Sequence, residues 1–325
     1  TPETMGCEIR SSMEVVKLGV SDTGMPVYMD KNAYHADGII ISCRLKPHNA
    51  FRGTYESGPC KMMAVGLGKQ KGSERAAGMG KISQNIFSMA KVVLEKAPIL
   101  FALPCLENAC DQTWKLEAID KDEILVREPE LLKEAFARMP SLLVGEGDVL
   151  IVDEIGKNYS GTGVDPNITG TFSTEYAHGG VKVQRTCFLD LSQVSHGNAL
   201  GVGLANVITK RLYHKIDPET MYPNCITSTV LSSARIPCVV ASDREAIQMC
   251  IRTCNGIDRA SPRLIRISNS LHIENIMLSQ AYYEDVREGR WAGIEACSVP
   301  KPLIFDADGT LITPCSPPQS AYHVP

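Results

Sequence analysis

The chain has 325 residues, of which 44% are hydrophobic and 22% charged, as in a soluble globular protein large enough for two domains. Its formal net charge of -4 argues against a nucleic-acid-binding protein, which usually carries a basic surface. No apolar segment approaches the length that spans a bilayer, and the N-terminal residues contain no apolar signal-peptide core. The composition therefore predicts partners other than nucleic acids or membranes.

Twelve cysteines are irregularly spaced, and no Cys-x-x-Cys pair occurs among them. Six of them stand mostly among apolar neighbours, where cysteine behaves as a small hydrophobic residue: Cys60, Cys105, Cys110, Cys187, Cys238 and Cys250. This pattern favours free thiols in a reducing compartment over a disulfide framework or a zinc site, so we expect a cytoplasmic protein.

Apolar runs typical of buried strands alternate with helical patterns, which predicts an α/β fold with mostly parallel sheets. The predicted strands cover residues 38–43, 99–103, 148–152, 182–190, 236–241 and 264–267. The predicted helices cover residues 72–96, 129–139, 199–214, a segment capped by Ser242 or Asp243, and residues 273–288. A glycine-rich break near Gly145 predicts two domains, residues 1–146 and residues 147–325.

The most informative segment is the glycine-punctuated stretch 46–80, which follows the first predicted strand. Pro47 disfavours a helical conformation at Lys46, so we expect the chain to leave the strand extended. Ligands of open α/β sheets bind at loops that follow the carboxyl ends of strands. This segment is therefore the predicted site.

Two side chains of this segment are candidates for chemistry. His48 is suited to act as a general base on a substrate hydroxyl, although a single loop histidine is more often structural. Lys61 lies in an otherwise apolar run, where an amine is costly unless it is paired or used, or else extends to solvent from a helix start. The sequence Gly66-Leu67-Gly68-Lys69 lacks the spacing of a phosphate-binding P-loop.

A second polar cluster follows the strand 148–152. It could hold a ligand hydroxyl or carboxylate, or it could cap neighbouring helices; its members are Asp153, Glu154, Lys157, Asp165 and Asn167. The segment 195–198 precedes the predicted helix 199–214, where backbone N–H groups would attract an anion. The alternative for this segment is ordinary helix capping by Asn198.

As a set, several of these motifs resemble the lactate racemase family, the nickel-pincer-nucleotide proteins and their uncharacterised relatives. The motifs are segments 46–48, 51–53, 56–58 and 66–69 with Lys61, and, for one branch of the relatives, segments 153–157, 160–167 and 195–198. The resemblance implies two α/β domains with the active site in a cleft between them.

The resemblance also implies a reaction. Lys61 would carry a pyridinium mononucleotide that holds nickel, and His48 would remove the hydroxyl proton of an α-hydroxy acid while hydride passes to the pyridinium ring. Lys157 would orient the substrate. Further cofactor contacts are expected from Arg52, Glu56, Ser57, Gly58, His196 and Asn198, and substrate contacts from Asp165 and Asn167.

Two departures from the family pattern qualify this expectation. The family's nickel-ligating histidine, sixteen residues after the tether lysine, is Ala77 here, so the metal ligand is unassigned. We also expect the chain to lack the family's N-terminal segment.

Three functions therefore remain open: an α-hydroxy acid racemase or epimerase served by cofactor-biosynthesis enzymes, a nucleotide- or hydroxy-acid-binding homologue without nickel chemistry, and a nickel-free reaction on a sugar acid. The sequence specifies neither the hydroxy acid nor the oligomeric state.

Overall fold

The structure is a computed structural model that describes residues 1–76 and 80–315. The chain divides into two compact units, one formed by Thr1–Met139 with Thr227–Thr229 and the other by Pro140–Ile226 with Val230–Pro325. The boundary expected at residues 146 and 147 therefore falls at the first residues of a strand of the second unit.

The first unit contains a hairpin and a four-stranded mixed sheet. Its strands are β1 (Val15–Val20), β2 (Pro26–Asp30), β3 (Ile39–Arg44), β4 (Ile99–Glu107), β5 (Thr113–Leu116) and β6 (Ile119–Asp120). β1 and β2 pair antiparallel, β3 and β4 pair parallel, and β5 and β6 pair antiparallel with β4. Only the β3–β4 connection is long enough for a helical crossover, so this sheet is less parallel than expected.

The helices of this unit are α1 (Pro2–Met5), α2 (Lys31–Tyr34), α3 (Pro59–Lys61), α4 (Lys69–Ala76), α5 (Ile82–Lys96) and α6 (Ile124–Arg138), with a π-helical turn at Met62–Gly66. The predicted helix 72–96 corresponds to parts of α4 and α5, whereas Ala77 lies outside the described residues. In α5, Ile86, Met89 and Val93 are buried at helical spacing.

Helix α6 begins before the proline that was expected to start it. Pro129 lies inside the helix and has no N–H, so it cannot bond to the carbonyl of Leu125 one turn earlier. The hydroxyl of Tyr55 donates to that carbonyl instead, at 2.6 Å. A tertiary contact from the segment after β3 therefore stabilises a helix that local rules would end.

The second unit is built on one six-stranded sheet. Its strands are β7 (Glu146–Ile155), β8 (Lys182–Leu191), β9 (Val207–Thr209), β10 (Cys238–Val240), β11 (Leu264–Ile267) and β12 (Met277–Leu278). The strand order is β10-β9-β8-β7-β11-β12, and every pair is parallel except β11 with β12. The predicted α/β class with a mostly parallel sheet is thus confirmed.

The helices of the second unit are α7 (Pro166–Thr169), α8 (Lys210–His214), α9 (Pro218–Ser228), α10 (Asp243–Thr253) and α11 (Tyr283–Arg287). The last two residues of α9 are counted with the first unit. The predicted helix 199–214 is wrong, because this segment contains a 3₁₀ turn, strand β9 and the short α8. Val207 and Ile208 are β-branched and buried, and pairing with β8 decides their conformation. The predicted helix 273–288 is likewise reduced to α11, preceded by β12 and a 3₁₀ turn.

Helix α10 covers one face of this sheet. Its residues Ala246, Ile247 and Cys250 pack against Val149 and Cys187, and all five are buried. All twelve cysteines are free thiols. In the described part of the chain, no helix combines the length and the apolar character needed to cross a bilayer.

Candidate functional site

Lys61 ends α3, which the chain enters from the loop that follows β3. The π-helical turn Met62–Gly66 comes directly after it, and such turns occur often at functional sites. A pocket of about 280 Å³ opens beside the lysine; its lining residues are Ser42, Cys43, Arg44, Lys46, Ser57, Gly58, Lys61 and Met62. Three predicted residues, Ser57, Gly58 and Lys61, are therefore brought together at the carboxyl end of β3.

The Lys61 side chain is half-buried, and its Nζ makes no hydrogen bond or ion pair with any residue of 1–76 or 80–315. Burial lowers the pKa of its amine, and the nearby charge of Lys46 lowers it further. A lysine that is desolvated and close to another cation holds more of its neutral, nucleophilic form. Lys61 is thus suited to covalent attachment.

The pocket is lined by cations and hydroxyl groups. Lys46 has no acidic partner among the described residues, whereas Arg44 pairs with Glu107 at 3.3 Å. Ser42 and Ser57 add hydroxyl groups, and no aspartate or glutamate lines the pocket. Positive charges around this open pocket raise the local concentration of anions, so the pocket favours an anionic ligand.

Glu56 fixes the loop between β3 and α3. Its carboxylate is 1% exposed and accepts the backbone N–H of His48 at 2.7 Å and that of Gly53 at 3.0 Å. Arg52 Nη1 lies 3.6 Å from the same carboxylate. Burial raises the pKa of Glu56 although these contacts oppose the shift. Both carboxylate oxygens therefore serve the loop, and cofactor binding by Glu56 stays a prediction.

Arg52 serves the same loop. Its Nη1 donates to the carbonyl oxygens of His48, at 2.6 Å, and of Phe51, at 3.2 Å. Its guanidinium also lies 5.3 Å from the ring centre of Phe136 in α6. These contacts connect the loop to a helix, and the contact with a cofactor expected for Arg52 stays a prediction.

His48 has a defined neutral form. Its Nδ1 accepts the backbone N–H of Ala50 at 3.1 Å, which leaves the proton on Nε2. Its ring centre lies 4.2 Å from that of Phe51, with the two rings tilted by 31°. Burial lowers its pKa to about 3, with contributions from the charges of Lys61, Arg52 and Lys46. His48 is not among the pocket-lining residues. To act as a base through Nε2, it would first have to change tautomer.

Sequence reasoning missed Glu128, which lies behind the pocket. Its Oε2 accepts the backbone N–H of Cys60 at 2.7 Å, in the turn that carries Lys61. Gly58 allows this approach, since a Cβ there would lie 2.6 Å from Glu128 Oε1. Glu128 lies on the buried stripe of α6 with Ile124 and Leu131. An acidic residue at a core position of an amphipathic helix is the signal that could have revealed it.

Burial raises the pKa of Glu128 to about 7. Its pKa in an unfolded chain is about 4.3, so the native state holds this proton more tightly and loses stability as pH rises between these values. We expect the free energy of unfolding to fall by about 3 kcal/mol for this reason between pH 4 and pH 8. Glu128→Gln keeps an acceptor for Cys60 and should flatten this dependence.

The measurement is urea unfolding of both proteins at pH 5 and pH 8. Glu95→Gln, an exposed glutamate on α5, is the matched control and should keep the wild-type slope. Equal pH slopes for wild type and Glu128→Gln would contradict the assignment.

The predicted cluster of the second unit is held mainly by its own contacts. Lys157 is half-buried, its backbone N–H donates to Ser195 Oγ at 2.8 Å, and its Nζ donates to the carbonyl of Gly161 at 2.6 Å. Burial lowers the pKa of Lys157. Asp165 caps α7, and its Oδ1 accepts both the backbone and the side-chain N–H groups of Asn167 at 2.9 Å. The capping alternative accounts for these contacts, and substrate binding stays a prediction.

The segment 195–198 does not begin a helix, so the argument for an anion site there was wrong. Only a 3₁₀ turn at Val202–Leu204 and then β9 follow it. His196 is exposed, with a left-handed φ of 48°. The Nδ2 of Asn198 donates to the carbonyl of Thr220 at 3.2 Å and to the side chain of Asn224 at 2.9 Å. These contacts are structural, and the cofactor contacts expected of both residues stay predictions.

No metal site is apparent within residues 1–76 and 80–315, where no group of three or more His, Cys, Asp or Glu side chains could hold an ion. The position expected for a nickel-ligating histidine, Ala77, lies outside these ranges.

Comparisons with known proteins give similarity of structure but not of sequence. No protein-family model matches the chain, and no curated protein matches it by sequence. Among solved structures, it is similar to the lactate racemase apoprotein from Thermoanaerobacterium thermosaccharolyticum, with 12% sequence identity and a TM-score of 0.42. The match covers 81% of this chain and 68% of that chain. This degree of similarity assigns neither a family nor an activity.

Proposed function

We propose that this chain is a racemase or epimerase of an α-hydroxy acid and that Lys61 is the attachment point of a nickel-pincer nucleotide. The observation that supports the proposal most is the state of Lys61, a half-buried amine with no acidic partner among the described residues, beside a cationic pocket. The resemblance of the motifs around Lys61 to the lactate racemase family supplies the identity of the cofactor.

The residues around Lys61 fit part of this cofactor. The free amine suits the covalent link, and Lys46 and Arg44 suit a phosphate or carboxylate group in the same pocket. The metal fits less well, because Ala77 replaces the histidine with which the family ligates nickel. We therefore assign no protein ligand to nickel.

When bound, such a cofactor would supply a reversible hydride acceptor for the α-carbon of the substrate. The chain's own residues would hold and orient the reactants. Lys61 carries the cofactor, Lys46 attracts the substrate carboxylate or the phosphate, and Ser57 can donate a hydrogen bond within the pocket. His48 stays neutral at pH 5 to 8, with its proton on Nε2. For His48 to act as the base for the substrate hydroxyl through Nε2, its proton must first move to Nδ1, and the backbone N–H of Ala50 must then find another acceptor.

A second candidate is a nucleotide- or hydroxy-acid-binding protein that has lost nickel chemistry. Ala77 at the expected ligand position favours it. Such a protein would retain the anion-binding pocket but would not turn over a hydroxy acid. Ligand-induced thermal stabilisation without racemisation would distinguish it from the enzyme.

The test is expression together with the cofactor-making enzymes, followed by intact-mass and peptide mass spectrometry. We expect a mass increase confined to the peptide that contains Lys61, and racemisation of a hydroxy acid that falls at least about a thousandfold in Lys61→Arg. Lys133→Arg, an exposed lysine on α6, is the control and should retain both properties. An unmodified Lys61 in the co-expressed protein would refute the proposal.

A further inference from the structure

The surroundings of Lys61 suit a reaction of the amine itself. Lys61 and Lys46 line one pocket, and within the described ranges neither ammonium has an acidic partner. Mutual repulsion and partial burial favour loss of a proton from Lys61, and its neutral amine is then a nucleophile for carbonyl carbon. The neighbouring thiol of Cys43 does not compete, because burial raises its pKa to about 12 and keeps it protonated.

We propose that Lys61, when it carries no cofactor, forms a reversible imine with a small α-oxo acid in this pocket. The Nζ lone pair attacks the carbonyl carbon to give a carbinolamine. The carbonyl oxygen then leaves as water with both protons of the amine, so C=N replaces C=O without any oxidation or reduction. The step requires only the acid and the lysine.

The pocket selects this class of ligand by charge and size. A carboxylate next to the carbonyl carbon can lie against Lys46 or Arg44 while the carbonyl faces Lys61, since all three residues line the same pocket. A volume of about 280 Å³ lies at the lower end of ligand pockets and suits an acid of a few carbons. An α-oxo acid is also the oxidised counterpart of an α-hydroxy acid, and only this last link rests on the proposed function.

The experiment uses the full chain expressed without the cofactor-making enzymes. The protein is incubated near pH 7.5 with glyoxylate and cyanoborohydride, which reduces an imine to a stable carboxymethyl adduct. Peptide mass spectrometry should place the first adduct on Lys61, formed at least tenfold faster than on exposed lysines. Lys61→Arg should abolish this adduct, and Lys133→Arg should leave it unchanged.

Two further arms test the role of charge. Lys46→Met removes the neighbouring cation, which should raise the pKa of Lys61 and weaken carboxylate binding, so labelling should slow about tenfold. Acetaldehyde has no carboxylate, so its preference for Lys61 over exposed lysines should be several-fold smaller than that of glyoxylate. Circular dichroism of each variant checks that it folds. The ratio of the labelling rate of Lys61 to that of the exposed lysines in the wild-type protein tests the proposal without any variant.

The proposal would be overturned by glyoxylate adducts spread evenly over the exposed lysines, or by acetaldehyde labelling Lys61 as fast as glyoxylate does. These outcomes do not decide the proposed function. If Lys61 forms the imine but stays unmodified after co-expression, only the tethered cofactor is refuted. If Lys61 carries the cofactor after co-expression but forms no imine with glyoxylate, only the imine is refuted.

Discussion

Replacement of Arg266 by methionine is expected to lower the free energy of unfolding by about 3 to 5 kcal/mol. Arg266 is 6% exposed and forms a two-pronged ion pair with Asp153 at 2.7 and 2.9 Å. Its Nη1 also donates to the carbonyl of Thr313 at 2.8 Å. Methionine has a similar volume but leaves the half-buried Asp153 carboxylate without its partner.

The pKa of Asp153 shows why the loss is large. Burial raises it even with Arg266 in place, and the charge of Asp243 adds to this shift. Without the arginine, the carboxyl group must either bind a proton or remain a buried unpaired charge. Urea unfolding at pH 7 measures the effect. Changing Asp153 to leucine as well should restore much of the lost stability, because a buried pair replaced by apolar residues is often tolerated.

The matched control is the exposed pair of Arg287 with Glu284, 3.5 Å apart in α11. Arg287→Met should change the stability by less than about 1 kcal/mol, since solvent screens such pairs. A loss below 1 kcal/mol for Arg266→Met would show that the Asp153 ion pair is not the stabilising contact described above.

The second large effect is expected for Glu56→Ala, which should lower the free energy of unfolding by about 3 kcal/mol. The change removes the acceptor of the His48 and Gly53 amides and the acidic partner of the half-buried Arg52. Because the loop joins β3 to the turn of Lys61, we also expect faster hydrogen exchange at the amides of His48 and Gly53.

Chemical denaturation and amide hydrogen exchange measure the two parts of this prediction. Glu95→Ala on the exposed face of α5 is the control and should alter neither. Unchanged exchange at both amides in Glu56→Ala would mean that other contacts hold the loop.

The sequence was sufficient for strands whose side chains are buried over a continuous run. β7, β8 and β11 were placed within a few residues, because parallel strands covered on both faces contain such runs. It was not sufficient for β9, whose three residues are too few to show a period and take their conformation from β8. The sequence was also not sufficient to place Pro129 inside α6. The hydroxyl of Tyr55 donates a hydrogen bond to the carbonyl of Leu125, which Pro129 cannot do because it has no N–H.

The candidate site shows a similar division. The sequence by itself determined the loop after β3, the apolar surroundings of Lys61 and the glycine at position 58, since these depend on residue type and local order. Only the tertiary structure decided that Glu128 accepts a hydrogen bond from the turn that carries Lys61. It also decided that the Glu56 carboxylate accepts backbone N–H groups of its own loop and that Nδ1 of His48 accepts the N–H of Ala50. Burial and partners, which set the charge and the available atoms of a side chain, depend on contacts between distant segments that a single sequence does not specify.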